Sequence, residues 1–133
     1  MIEINNLTKF KFNKKILEKL AEKILTGERK AKADLSVVFI GPAEIQKLNK
    51  KYRKKNLPTD VLSFNYGDSG EVVICPQVVK QNAKKYGETF EKETVRVLTH
   101  GILHVLGYDH EKKDGKMIKK QEYYLKKLLT TRK

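Results

Sequence analysis

With a single cysteine, Cys75, the chain can form no internal disulfide. It has no apolar run approaching the ~20 residues that a membrane-spanning helix needs, and nothing near Met1-Ile2-Glu3-Ile4 resembles a signal peptide. Internal repeats, linkers and low-complexity tracts are also missing, so residues 1–133 are expected to form one domain around one core. These absences point away from a disulfide framework and from a membrane protein. The expectation is a soluble, cytoplasmic chain with no membrane partner.

Acidic residues are scarce, 16 against 29 basic ones, which leaves a formal charge of +13. Such an excess favours polyanions, nucleic acid first. Of the 29 cations, 25 are lysine and only 4 arginine, a bias that lysine-rich composition alone would also produce on any surface. The charge is therefore compatible with RNA binding without requiring it.

Histidine occurs three times, always within the stretch His100-Gly-Ile-Leu-His-Val-Leu-Gly-Tyr-Asp-His110. His100 and His104 are spaced i, i+4, which on a helix places their Cβ atoms about 6 Å apart on one face, within reach of one metal ion. The apolar residues Leu98, Ile102, Leu103, Val105 and Leu106 support a helix buried along one side. Gly107 is suited to the left-handed residue that ends a helix, and the reversal can return His110 to the same ion. Three protein ligands leave the fourth tetrahedral position open, the pattern of a catalytic zinc site. Zinc is the expected metal, although nickel, copper or iron suit the same imidazoles.

The spacing is that of metzincin proteases, but Gly101 stands where those enzymes carry their general-base glutamate. A peptidase without that carboxylate lacks its proton acceptor. Gly101 inside a helix costs about 1 kcal/mol relative to alanine, so either close packing or open space beside the metal should account for it.

With glycine in that slot the stretch resembles the YbeY family, rRNA maturation factors described as metal-dependent endoribonucleases. The likeness is carried by His100, Gly101, Leu103, His104, Gly107, Tyr108, Asp109 and His110, with Val105 where leucine is usual. Upstream it extends through Leu48-Asn49, Tyr52-Arg53, the run Pro58 to Phe64 and the run Gly70 to Ile74, and downstream to Met117 and Glu122. Asn65 stands where the family commonly has proline. The resemblance implies an α+β domain in which a small mixed sheet of about four strands packs with several helices, with the metal in a cleft.

Hydrophobic periodicity predicts the elements in more detail. Ile2 to Asn5 and Leu35 to Ile40 read as strands, and Val61 to Phe64 with Glu71 to Cys75 as a hairpin. Lys14 to Leu25 carries an i, i+3, i+4 stripe and reads as a helix. A second helix opens at Pro42, with Ile45, Leu48 and Tyr52 as its inward residues. Pro76 opens a third helix, which stops near Tyr86. Thr89 is the expected N-cap of the histidine helix, with Glu91 and Glu93 favourable in its first turn. Met117 to Leu129 reads as a final amphipathic helix with Met117, Tyr124, Leu125, Leu128 and Leu129 facing in. Cys75 is expected to be a small buried residue.

A zinc ion lowers the pKa of bound water towards about 7 and polarises phosphoryl oxygens. With every histidine a ligand, no imidazole is left for acid–base work, so the base is ionised water or a carboxylate. Asp109 is expected to orient a ligand, and Asp60 to do the same or to cap a turn. Arg53 suits a phosphate contact because guanidinium donates bidentately to phosphate oxygens, and the resemblance carries that cleft role onto it. The leading expectation is a single-strand-specific endoribonuclease acting in ribosomal RNA maturation and ribosome quality control, with RNA and small-subunit or ribosomal proteins as partners. The alternatives are a non-catalytic ribosome-assembly or RNA-binding factor with a structural metal, and a metallohydrolase for a small phosphate or amide substrate.

Overall fold

A computed structural model describes residues 1–109 and 115–130, the side chains of 128–130 excepted. Its strands are β1 (Ile2–Asn6), β2 (Asp34–Phe39), β3 (Val61–Asn65) and β4 (Ser69–Ile74), joined in one sheet of order β1-β2-β4-β3. β1 and β4 both run parallel to β2, while β3 and β4 form the expected antiparallel hairpin. β3 is thus an edge strand. Strand residues alternate between faces, and in β2 the set Leu35, Val37 and Phe39 enters one core while Val38 joins another.

Among the described residues five helices pack with the sheet: α1 (Lys14–Gly27), α2 (Pro42–Arg53), α3 (Pro76–Lys85), α4 (Phe90–Val105) and α5 (Lys116–Thr130). The larger core joins β2 and β4 to Leu17, Leu20, Ala21, Ile24 and Leu25 of α1, Leu98, Ile102 and Leu103 of α4, and Met117, Tyr124 and Leu125 of α5. Full burial of each such aliphatic side chain contributes about 1.5–3 kcal/mol. The opposite face holds a smaller cluster of Ile40, Ile45, Leu62, Val73 and Cys75, closed by α2. Cys75 is fully buried, as the sequence predicts, and burial pushes its thiol pKa up.

Tyr52 departs from expectation. Its spacing from Ile45 and Leu48 predicts an inward residue, yet it is 55% exposed. α2 ends one residue later and Lys54 takes a left-handed conformation (φ 59°), so the apolar stripe runs out before Tyr52 reaches the core. Leu128 and Leu129, expected to face in, lie outside the described side chains.

Candidate active site

α4 begins as its sequence dictates. The Thr89 hydroxyl accepts from the Lys92 N–H at 3.1 Å, satisfying one of the first-turn donors. It ends in a Schellman reversal: Tyr108 N–H donates to the Leu103 carbonyl and Gly107 N–H to the His104 carbonyl, with Gly107 at φ 103°. Between those caps, Gly101 brings the helix against the sheet. A Cβ at this position would stand 2.6 Å from Cγ1 of Val72 and 3.2 Å from Cγ2 of Val61. Close packing accounts for the glycine; open space beside a metal does not.

The helix is also fastened to the edge strand by hydrogen bonds. The Ser63 hydroxyl donates to the Gly101 carbonyl at 2.9 Å, and the Asn65 side-chain amide to the Val105 carbonyl at 2.7 Å. His100 and His104 consequently lie along β3, their ring centroids 4.7 Å apart and their planes 77° apart. Both line a cleft of about 450 Å³ with Arg53, Asn49, Thr59, Asp60 and Ser63. A larger concavity of about 750 Å³, lined by Arg29, Lys30, Asp34 and Asp68 among others, has no histidine among its described lining residues.

The walls of the cleft are held by polar contacts. Asn49 is buried on α2 and donates to the Leu57 carbonyl at 2.9 Å, while Gln46 donates to the Asn56 side chain at 3.1 Å. These bonds fold the segment 55–60 back against the helix that carries Arg53. Asp60 forms the opposite rim, its carbonyl accepting from Cys75 N–H at 2.9 Å. It is the one carboxylate among the described residues that line the cleft.

Gln121 of α5 reaches His100 from behind, with its Oε1 at 2.8 Å from Nδ1. An amide oxygen only accepts, so in this contact Nδ1 of His100 donates, the arrangement in which a neutral imidazole offers Nε2 to a metal. Asp109 and Asp60 are the orienting residues that local sequence suggests, whereas Gln121 emerges only from the fold. Nothing local announces a residue 21 positions away on another helix as an imidazole partner. Asp109 is exposed and lines a different cleft, beside Glu28, Lys30 and Lys116. His110, the third expected ligand, lies outside the described residues. Among the described residues no group of three His, Cys, Asp or Glu side chains converges. The two imidazoles that are placed, one with its tautomer set for Nε2 coordination, suit the nitrogen ligation of a divalent transition metal.

Two glutamates brace the surroundings. Glu93 is 6% exposed and sits 3.4 Å from the Arg96 guanidinium, which also reaches Glu122 at 3.6 Å and so ties α4 to α5. It is therefore more than the helix-start acid its position implies. Burial raises its pKa; Arg96 opposes this, while Asp60 and Glu88 add to it. Glu28, at the end of α1, accepts from the hydroxyls of Tyr108 and Tyr124 and lies 3.3 Å from the Lys120 ammonium. That knot anchors the turn leaving α4 to both α1 and α5. The same contact, with burial, pushes the Tyr108 hydroxyl up to about 12.

The fold and cleft define a class: a single α+β domain with a mixed sheet, whose histidine helix lies along an edge strand opposite an arginine. The chain belongs to the endoribonuclease YbeY family, whose model matches residues 3–129. It is 39% identical over 122 residues to the endoribonuclease YbeY of Thermotoga neapolitana, covering 86% of this chain and 82% of that protein. The endoribonuclease YbeY of Aquifex aeolicus is 41% identical over 132 residues, covering 92% of this chain and 88% of the relative. A solution structure of a Thermotoga maritima protein superposes with a TM-score of 0.71 at 36% identity, covering 98% of this chain and 91% of that one.

Proposed function

We propose that this chain is a metal-dependent endoribonuclease that cleaves single-stranded RNA in ribosomal RNA maturation. The observation that carries the reading is the placement of His100, His104 and Arg53 on one cleft. His100 and His104, with His110, would hold one zinc ion. When bound, that ion supplies Lewis acidity at a phosphodiester and lowers the pKa of a water molecule.

The chain's own residues supply the rest. Arg53 holds the scissile phosphate through two parallel N–H donors, stabilising charge as it grows on the phosphoryl oxygens. Gln121 fixes the His100 tautomer. Asp60, on the same cleft, would accept a hydrogen bond from the attacking water. Asn49 keeps the segment carrying Asp60 against α2, so the two rims do not drift apart.

The net charge of +13 and the exposed cations Lys50, Lys51, Lys54 and Lys55 beside Arg53 suit a polyanionic substrate. Among the described residues no helix is long and apolar enough to cross a membrane. The family's name, endoribonuclease, supports an RNA substrate, and the proposal sets the action in the cytoplasm, on ribosomal RNA beside small-subunit proteins. The non-catalytic alternative gains nothing from that name.

Incubation of the purified protein with labelled ribosomal RNA precursor, with and without chelator, tests the reading. Chelator-sensitive cleavage is expected, together with its loss in His104→Ala. Cleavage indifferent to both would refute the metal assignment, and no cleavage by the zinc-loaded wild type would refute the nuclease.

A further inference from the structure

β3 presents two different faces at the rim of the cleft. Its residues Val61, Ser63 and Asn65 line the histidine cleft. The intervening positions point to the other side, where Phe64 and, just past the strand end, Tyr66 lie with parallel rings, 6° between planes and 6.4 Å between centroids. Tyr52 of α2 meets Phe64 edge-on at 5.1 Å. The three rings form a continuous row along a sheet edge, and its outer members are 55% and 62% exposed. Such a row is not required by the core: Phe64 alone packs against the smaller cluster, and both tyrosines stand outside it.

The charge around the row is one-sided. Lys51 holds its ammonium 5.2 Å from the Tyr52 ring centre, and Lys50, Arg53, Lys54 and Lys55 are exposed around the end of α2. Among the described residues Glu71 opposes Phe64 in the ladder, and burial together with its negative charge raises the Tyr66 hydroxyl pKa. A carboxylate there bears on the hydroxyl and leaves the ring faces to a stacking partner. Exposed aromatic faces interleaved with cations are the recognition chemistry of unpaired bases, because every base offers a π face and phosphates follow the cations.

We propose that Tyr52, Phe64 and Tyr66 form a base-stacking platform for the single strand of RNA whose phosphate lies at Arg53. Tyr52 and Arg53 are neighbours in sequence, so a strand gripped by the guanidinium passes from the cleft over the edge of β3 onto the rings. The inference rests on the RNA-cleaving function proposed above, and extends it from the scissile phosphate to the flanking nucleotides. Recognition there is stacking rather than hydrogen-bond readout, so it tolerates any sequence but demands unpaired bases.

The test is equilibrium binding of the full-length, as-purified protein to a labelled single-stranded RNA of about ten nucleotides, checked intact after each titration. Tyr52→Ala and Tyr66→Ala are each expected to weaken binding about fivefold or more, the lower end of the effect of losing one base–aromatic stack. Tyr52→Phe and Tyr66→Phe should bind as wild type does, since the stacking face is kept. Tyr86→Ala serves as control: Tyr86 is 66% exposed, also carries a neighbouring lysine over its ring, and lies at the end of α3. An abasic oligomer of equal length should bind wild type weakly and show no dependence on Tyr52 or Tyr66.

Unchanged affinity in both alanine variants would overturn the platform, and would be the result if the row instead receives a protein. Equal losses in Tyr86→Ala, or equal losses with the abasic oligomer, would overturn it too. Binding and cleavage fail separately. A protein that binds through these rings yet never cuts RNA refutes the nuclease alone, whereas chelator-sensitive cleavage with ring-independent binding refutes the platform alone.

Discussion

The Asn65 side-chain amide donates to the Val105 carbonyl at 2.7 Å, one helical turn beyond the carbonyl that takes the Ser63 hydroxyl. Two residues of strand advance about 6.6–6.8 Å, and four residues of helix about 6 Å, so neighbouring side chains on one face of β3 meet successive turns of α4. His100 and His104 repeat with the same period and are carried along by it. Asn65 and Val105 are also the two positions at which this chain departs from the family pattern quoted above. Here they bind one another, and a proline at 65 would have no side-chain donor to offer.

Gln121 should act through His100 on metal affinity. Gln121→Leu is expected to weaken zinc binding about 10–100-fold, the usual effect of removing a histidine ligand's hydrogen-bond partner. Gln121→Glu should retain it, because a carboxylate also accepts from Nδ1. Competition against a chromophoric chelator measures this directly, and equal affinities in all three proteins would remove Gln121 from the site.

Arg53 and the metal ligands should be separable. Arg53→Ala is expected to keep its metal content and Tm while single-turnover cleavage falls by on the order of 10²-fold, comparable to losing one preorganised donor. Arg53→Lys should rescue little, since a point charge cannot reproduce the planar fork. A metal-loaded Arg53→Ala protein that cleaves at the wild-type rate would contradict the phosphate contact.

Gly101→Ala sets helix propensity against packing. The alanine gains about 1 kcal/mol as a helix former, but its Cβ would lie 2.6 Å from Val72 Cγ1, and overpacking costs about 1–3 kcal/mol. A net loss is expected in urea unfolding. Trimming the neighbour should relieve part of the clash: in a Val72→Ala background, Gly101→Ala should cost less, with a coupling of about 1 kcal/mol between the two sites. Strict additivity would show that the helix simply slides away.

Glu28 and Glu93 should respond oppositely to pH. Burial raises the Glu28 carboxyl, but donation from Tyr108, Tyr124 and Lys120 outweighs it, and its pKa falls below the ordinary 4.5. Folded protein then binds fewer protons than the unfolded chain in that window, so the stabilisation exists above about 4.5 and is lost as pH falls through the lowered value. For Glu93 burial, reinforced by Asp60 and Glu88, prevails over Arg96, and its pKa is raised. Its stabilisation is present below the unfolded value and lost as pH rises through the raised one. Thermal melts from pH 3 to 7 should therefore show Glu28→Gln losing the acid-side slope. Glu93→Gln should gain Tm towards neutrality with no gain at the acid end. Parallel curves for both variants would refute the assignment.

Local chemistry alone determined much of this protein. Threonine before the histidine helix and glycine after it set both caps, because first-turn donors and a left-handed residue are satisfied within a few positions. The i, i+4 histidines share a face whatever surrounds them, and the turn at 66–68 makes the β3–β4 hairpin. The glycine in place of glutamate spoke against a peptidase without any structure. What distant segments contribute was decided only by the tertiary fold. Gly101 reads equally as packing or as open space until Val72 and Val61 lie against it. Tyr52 continues an apolar stripe in sequence but overruns the end of the core it would have joined. Gln121 meets His100 only because α5 docks on α4, and no periodicity within either helix encodes that docking. Propensity, caps and spacing act over one or two turns, whereas partners and exposure depend on which face each element buries.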